Sequence, residues 1–204
     1  MQTGNETGND RGILRRSLLQ SAAGLAFGSW LVAQDNALTK NDDGVGNGRP
    51  GDFDFLQGEW RISHRRRTST DDEKWDEFSG TATCWSILNG IGSIEELRIP
   101  DRKFYGMGLR LLDVEKKIWH DHWVNRKSGI LTTPGQTGGF VDGVGTFVAE
   151  DRIDDKRIQI KGVWDRITND SCRWYQTISE DGGVTWRENW FMDWRRQRST
   201  LVLV

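Results

Sequence analysis

The chain has 204 residues, a length that suits one large all-β domain, and 35% of them are hydrophobic, as in soluble domains with a core. The formal net charge is −2, so no charge field favours nucleic acid or an anionic membrane as a partner. Trp accounts for 11 residues and Tyr for only 2. Because large rings are seldom left on a surface, we expect most Trp side chains to be buried or to line a cavity.

The first 33 residues are typical of an export signal. Arg15 and Arg16 precede an apolar run from Leu18 to Ala33, which is short for a membrane span and is interrupted by Ser, Gln and Gly. The pattern predicts a twin-arginine signal and a periplasmic or extracellular location. Two alternatives stay open, a Sec signal and an amphipathic helix with a chance Arg pair. An uncleaved signal would be the only stable membrane association that we expect.

The remaining chain divides by composition. Residues 34–52 are polar and rich in Gly, which predicts a flexible linker. The folded domain is expected over residues 53–198, followed by a short tail at 199–204. Cys84 and Cys172 allow either a disulfide or two buried thiols.

Strand and turn signals recur along residues 53–198. Asn89-Gly90 and Asp142-Gly143 are strong hairpin signals, and short segments with alternating polarity lie between the turns. Phe53–Leu56 is predicted to form a short helical or 3₁₀ cap, and no long helix is expected after residue 52. Because every connection is hairpin-sized, the pattern favours a single antiparallel up-and-down β-barrel over a Greek-key sandwich.

The stretch FDFLQGEWR, residues 53–61, opens the predicted domain. Its Gly58-x-Trp60 element, at the start of the first strand, resembles the lipocalin and fatty-acid-binding (calycin) signature. The resemblance implies that Trp60 closes the barrel floor and that an Arg of the last strand packs across its face. Arg195 and Arg196 are the candidates, because the last strand of a closed meander pairs antiparallel with the first.

A wider set of motifs resembles an uncharacterised bacterial family of exported lipocalin-like domains. The motifs are Phe53-Asp54-Phe55, Gly58-x-Trp60, Trp119, DGVGTF at 142–147, DGGVTW at 181–186 and Asn189-Trp190. The resemblance implies a calycin-type barrel and no established activity. The chain departs from the family pattern at residues 120–122, which read HDH. A separate match, Ser179–Trp186, to the Asp-box of sialidase propellers occurs once and predicts only a stapled hairpin.

The histidines are candidate metal ligands. His120 and His122 share one face of a strand, and His64 shares a face with Trp60. A His-x-His pair with one His from another strand is typical of an open zinc site, which would give a hydrolase or hydratase. These histidines would be the ligands of zinc or, as a variant of the same hypothesis, of haem. No other cofactor is expected. The alternative is that Trp119 and Trp123 face inward and leave the histidine pair in solvent.

The interpretation that we favour is a binding protein for a small apolar or amphipathic molecule, because no catalytic motif stands out and rings are abundant. The ligand itself is not predicted. A non-catalytic structural or interaction module is the alternative. The candidate wall residues, of which alternation leaves the inward half undecided, are Trp85, Phe104, Met107, Trp119, Trp123, Phe147, Trp164, Trp174 and Trp190. Arg65, Arg66 and Arg67, with Arg195, Arg196 and Arg198, are expected to form a basic rim near the floor.

Overall fold

The computed structural model describes residues 47–68, 74–153 and 155–197, so the predicted signal and most of the predicted linker lie outside it. Ten antiparallel strands form one closed barrel in which each strand pairs with its sequence neighbours and the first pairs with the last. The predicted all-β up-and-down barrel is confirmed. The strands are β1 (Gly58–Arg67), β2 (Trp75–Ile87), β3 (Gly92–Ile99), β4 (Phe104–Asp113), β5 (Ile118–Asn125), β6 (Gln136–Val141), β7 (Val144–Ile153), β8 (Lys156–Asp165), β9 (Ser171–Ser179) and β10 (Arg187–Arg196).

Helical structure is confined to single turns in the described residues. The 3₁₀ turns are Asp54–Leu56, Leu88–Gly90 and Pro100–Arg102, and the first of them is the predicted cap before β1. No helix in this part of the chain has the length and apolarity needed to cross a bilayer. Between β6 and β7, Asp142 and Gly143 both have positive φ, at 49° and 79°, as a two-residue hairpin turn requires.

The barrel has two ends that we name the floor and the mouth. The floor is the end where β1 begins, and it holds the turns that join β2 to β3, β4 to β5, β6 to β7 and β8 to β9. The mouth is the opposite end, where β1 and β9 finish. Because strand side chains alternate, even-numbered residues of β1, β2, β4, β8 and β9 and odd-numbered residues of β3, β5 and β7 face inward, as their burial shows.

The segment before β1 seals the floor from inside. Leu56 and Phe53 are 0% and 2% exposed, and the ring of Phe53 lies 4.9 Å from Trp119 and 5.6 Å from Phe147. Phe55 adds an edge contact to Trp164 at 5.7 Å. These contacts explain why aromatic residues stand together before the first strand, since they form a plug that crosses the barrel axis.

The fold begins earlier than the predicted boundary at residue 53. Gly48 is buried and its N–H donates to the carbonyl of Lys117, while the N–H of Gly51 donates to the carbonyl of Gly90. Asp52 accepts a hydrogen bond from the indole of Trp119 at 3.0 Å. Residues 48–52 are therefore attached to the floor turns and do not belong to a free linker.

A ten-stranded barrel is wider than an eight-stranded one, whose interior side chains just fill. Large rings occupy this width, and inward glycines let them lie against the wall. A Cβ at Gly106 would lie 2.2 Å from Trp123, and one at Gly145 would lie 2.5 Å from Phe140. The many Trp rings therefore fill the wide interior, and the inward glycines leave the space that the rings need.

Candidate functional site

The floor carries an Arg–Trp contact. Trp60 is 0% exposed and its indole N–H donates to the carbonyl of Leu56 at 2.6 Å. The guanidinium of Arg196 lies 4.3 Å from the centre of the Trp60 ring and donates to the carbonyls of Gln57 and Phe55. Gly58 has φ of +107°, and a Cβ there would lie 3.0 Å from the Arg196 guanidinium. The glycine two places before Trp60 thus admits the arginine.

Arg195 has a different position from Arg196. It pairs with Arg61, faces outward and is exposed. Of the two arginines proposed for the floor, only Arg196 contacts Trp60. The contact uses cation–π attraction together with charge-assisted hydrogen bonds, which fix the planar guanidinium more firmly than either could alone.

Of the nine predicted wall residues, two face away from the interior. Trp85 is 47% exposed on the outer face of β2, between inward Cys84 and Ser86. Met107 lies outward on β4, because Gly108 and the residues that alternate with it are the buried ones. The wall prediction is therefore wrong for Trp85 and Met107.

The seven inward wall residues separate into two groups. Trp119, Phe147 and Trp164 pack against the plug at the floor, through the contacts described above. The other four lie in the half of the barrel beyond the plug and form the walls of the candidate site. They are Phe104, Trp123, Trp174 and Trp190.

His64 belongs to the same half of the barrel. It is 3% exposed, its ring stacks on Phe78 at 4.7 Å, and its Nδ1 accepts a hydrogen bond from the indole of Trp190 at 3.2 Å. Because an indole N–H only donates, Nδ1 carries no proton in this arrangement and the imidazole is neutral. Gly80 leaves room for the ring, since a Cβ there would lie 2.8 Å from Nε2.

The three predicted metal ligands do not meet. His64 faces inward, whereas His120 and His122 alternate with buried Trp119 and Trp123 and so face outward. Nδ1 of His122 lies 2.7 Å from the carbonyl of Thr132. No group of three or more His, Cys, Asp or Glu side chains in the described residues is arranged to hold a metal ion. The three-histidine prediction fails because the Trp residues of β5, not its histidines, occupy the interior.

Three charged residues, two of them buried, lie at the base of this half of the barrel. The central one, Arg110, was not predicted from the sequence. Arg110 is 0% exposed and donates to Glu95, which is 1% exposed, through a short hydrogen bond. Nε of Arg110 lies 3.6 Å from Oδ1 of Asp121, whose side chain is 12% exposed. Burial acts to lower the pKa of Arg110, but the charges of Asp121 and Glu95 outweigh it and raise this pKa.

The two cysteines are free thiols inside the barrel. Cys84 and Cys172 are 2% and 3% exposed, and no disulfide joins them. Burial, with a further contribution from the charge of Glu95, raises the pKa of both thiols well above its usual range. They therefore pack as small apolar side chains rather than as nucleophiles.

The predicted basic rim is divided between the two ends. The antiparallel register pairs Trp60 with Arg196 at the floor and Arg66 with Trp190 toward the mouth. Arg65 to Arg67 therefore lie at the mouth, far from Arg195 and Arg196, and Arg198 lies outside the described residues. The guanidinium of Arg66 lies 4.7 Å from the ring centre of Trp190.

A groove of about 730 Å³ lies along β1, β2, β9 and β10, and it is lined by outward side chains together with inward His64 and Phe78. Arg65 contacts the rings of Trp75 and Phe191 there, at 4.8 Å and 4.9 Å. Arg173 forms a bidentate salt bridge with Asp165. These outward side chains cover one another, whereas His64 and Phe78 line both this groove and the mouth half of the barrel.

Neither a scan of protein-family models nor a search of curated proteins gives a match to this chain. The lipocalin-like resemblance therefore stays a prediction that rests on the motifs. The barrel interior is the basis for the functional proposals below.

Proposed function

We propose that the protein is a binding protein that holds a small apolar or amphipathic molecule in the mouth half of its barrel. The observation that carries the proposal is a difference in burial between inward rings. Phe78 on β2 and Phe104 on β4, near the mouth, remain half-buried, whereas Trp60, Trp119 and Trp164 at the floor are at most 1% exposed. An apolar concave surface with a few polar groups is the usual form of a small-molecule site.

The walls of the proposed site suit an apolar body. On one side, the rings of Phe104 and Trp123 stack with centres 6.2 Å apart. On the other side, Trp174 contacts Trp190 edge-on at 5.9 Å. Because β4 and β5 lie across the ring of strands from β9 and β10, a molecule between these pairs of rings would be covered on two sides.

Binding is tested by tryptophan emission during titration with 1-dodecanol. We expect a spectral shift that saturates, because a bound alkyl chain changes the surroundings of Trp123 and Trp190. A Trp123→Phe, Trp190→Phe double variant should lose most of the shift. Trp85→Phe is the matched control, since this ring lies outside the barrel and its loss should leave the shift intact.

The competing interpretation is a structural or interaction module with a filled interior. The closely packed floor supports this interpretation, but only for the floor half of the barrel. It predicts no saturable emission change and no rise in melting temperature with dodecanol. That pair of negative results would refute the binding proposal.

Export is part of the same proposal. The Arg15-Arg16 pair before the apolar run supports a twin-arginine route and a periplasmic or extracellular location. Replacing both arginines with Lys should retain the protein in the cytoplasm. Secretion that is unaffected by the replacement would contradict this route.

A further inference from the structure

The base of the mouth half holds charged groups that constrain which ligand fits, so the following inference rests on the proposed function. We propose that the site selects an amphipathic molecule with a neutral hydroxyl head, bound by Asp121 and Arg110, over a carboxylate or an ammonium of equal chain length.

Arg110 lies on the boundary between the plug and the mouth half. Its guanidinium is 5.1 Å from the ring centre of Phe53 and 5.3 Å from that of Trp164. Among the three charged residues, only Asp121 retains appreciable exposure, at 12%. We therefore place the head group beside the Asp121 carboxylate, which is the accessible member, with the arginine behind it.

Hydrogen-bond capacity specifies the head group. Nη1 of Arg110 is buried and has no hydrogen-bond partner in the described part of the chain. A guanidinium only donates and an ionised carboxylate only accepts. A hydroxyl is the simplest group that meets both, because its oxygen accepts from Arg110 while its proton goes to Asp121. Leaving a buried donor unsatisfied is costly, so this match contributes to selection.

Charge excludes the two ionic alternatives. With both carboxylates ionised, Arg110, Glu95 and Asp121 have a formal net charge of −1, which repels a carboxylate head. An ammonium head pairs with Asp121 but has no acceptor for Nη1 of Arg110, and it must be desolvated beside a guanidinium. The neutral hydroxyl avoids both penalties.

Gly108, which is itself buried, packs against the charged group. A Cβ at this position would lie 3.2 Å from Nη2 of Arg110 and 3.4 Å from Oε2 of Glu95. The missing side chain at residue 108 therefore leaves room for Arg110 and Glu95, and in our proposal the aromatic walls hold an apolar tail.

The test is calorimetric titration of the full-length protein with decane, 1-decanol, decanoate and decylamine, below the concentrations at which they aggregate. We expect decanol to bind at least about tenfold more tightly than the three others, as one good hydrogen bond to a charged group allows. Equal affinities, or tightest binding of decanoate or decylamine, overturn the head-group inference and leave the binding function intact. No binding of any of the four overturns both.

Asp121→Asn tests the residue directly. Removing this negative charge should raise the affinity for decanoate about tenfold and so reduce the difference between the decanol and decanoate affinities. Asp151→Asn is the matched control, because Asp151 also faces inward but lies on β7, nearer the mouth. It should leave the decanol-to-decanoate ratio unchanged. An unchanged ratio in folded Asp121→Asn, or an equal change in both variants, overturns the assignment. If Asp121→Asn does not fold, the order of the four ligand affinities in the wild-type protein tests the inference by itself.

Discussion

The tryptophans at the floor and the phenylalanines nearest the mouth are buried to different extents. At the floor, Trp60, Trp119 and Trp164 are at most 1% exposed, and a chain segment crosses the axis to cover them. Toward the mouth, Phe78 and Phe104 are half-buried although they also face inward. We therefore attribute stability mainly to the floor and place the proposed ligand site in the mouth half.

The largest contrast should come from truncating one ring at each end. Trp60→Ala should lower the free energy of unfolding by about 3–5 kcal/mol, the range for a buried Trp or Phe. The variant also leaves the buried carbonyl of Leu56 without its donor. Phe104→Ala should cost about 1 kcal/mol, because part of that ring is already in water. Urea denaturation measures both values, and equal costs would remove the distinction between the ends.

The boundary between the halves depends on the buried ion pair. Arg110→Met should destabilise the domain by about 3–5 kcal/mol, because it leaves the charge of Glu95 buried without a partner. Adding Glu95→Leu should restore part of the loss, since an apolar pair of similar size needs no desolvation. A double variant less stable than Arg110→Met would show that Glu95 is held by other groups.

The Arg–Trp contact at the floor is the next effect in size. Arg196→Lys should cost about 1–2 kcal/mol, because an ammonium cannot both cover the Trp60 ring and reach several carbonyls. Arg195→Lys is the matched control, since Arg195 faces solvent one residue away. A thermal melt should separate the two variants, and identical melting temperatures would contradict the role given to Arg196.

Sequence patterns predicted the floor well and the mouth half poorly. Gly58 and Trp60 define a local motif, and the partner on the last strand follows from closing a meander. By contrast, β4 has apolar residues on both faces, so alternation left its inward side undecided between the face of Phe104 and that of Met107. The correct side places Arg110 in the interior, which alternation of polarity argues against.

The histidines show the same difficulty. On β5 both faces carry residues that suit an interior, Trp119 and Trp123 on one and His120 and His122 on the other. Steric fit decided between them, because the inward glycines of neighbouring strands accept the rings. Gly106 is the clearest example, as its missing side chain makes space for Trp123. Pairing ring positions with glycines on the adjacent strand is the signal that would have found this face.

Asp151, at the mouth, should have a smaller effect and one that depends on pH. Burial raises the pKa of its carboxyl group, and the N–H of Arg152 only partly opposes this. Because the folded state then holds its proton more tightly than the unfolded state, the Asp151 contribution to stability falls as pH rises through this titration. Asp151→Asn should therefore be more stable than wild type at pH 7 and equal to it at low pH. Urea midpoints across pH test the prediction, and a gap that does not change with pH would contradict it.

The smallest effect concerns Asp181 in the turn between β9 and β10, where the predicted stapled hairpin is present. The hydroxyl and N–H of Thr185 and the hydroxyl of Ser179 donate to this carboxylate and lower its pKa to about 2. Because the folded pKa lies below the unfolded one, the contribution to stability is fully present above about pH 4, the ordinary Asp range, and is lost as pH falls through about 2. An NMR titration of the carboxylate should show this midpoint, and the Thr185 amide should move with it. Asp181→Ala should shift the Thr185 and Gly183 amides while the floor resonances of Trp60 stay in place. A midpoint near 4 would mean that the hairpin is not stapled in solution.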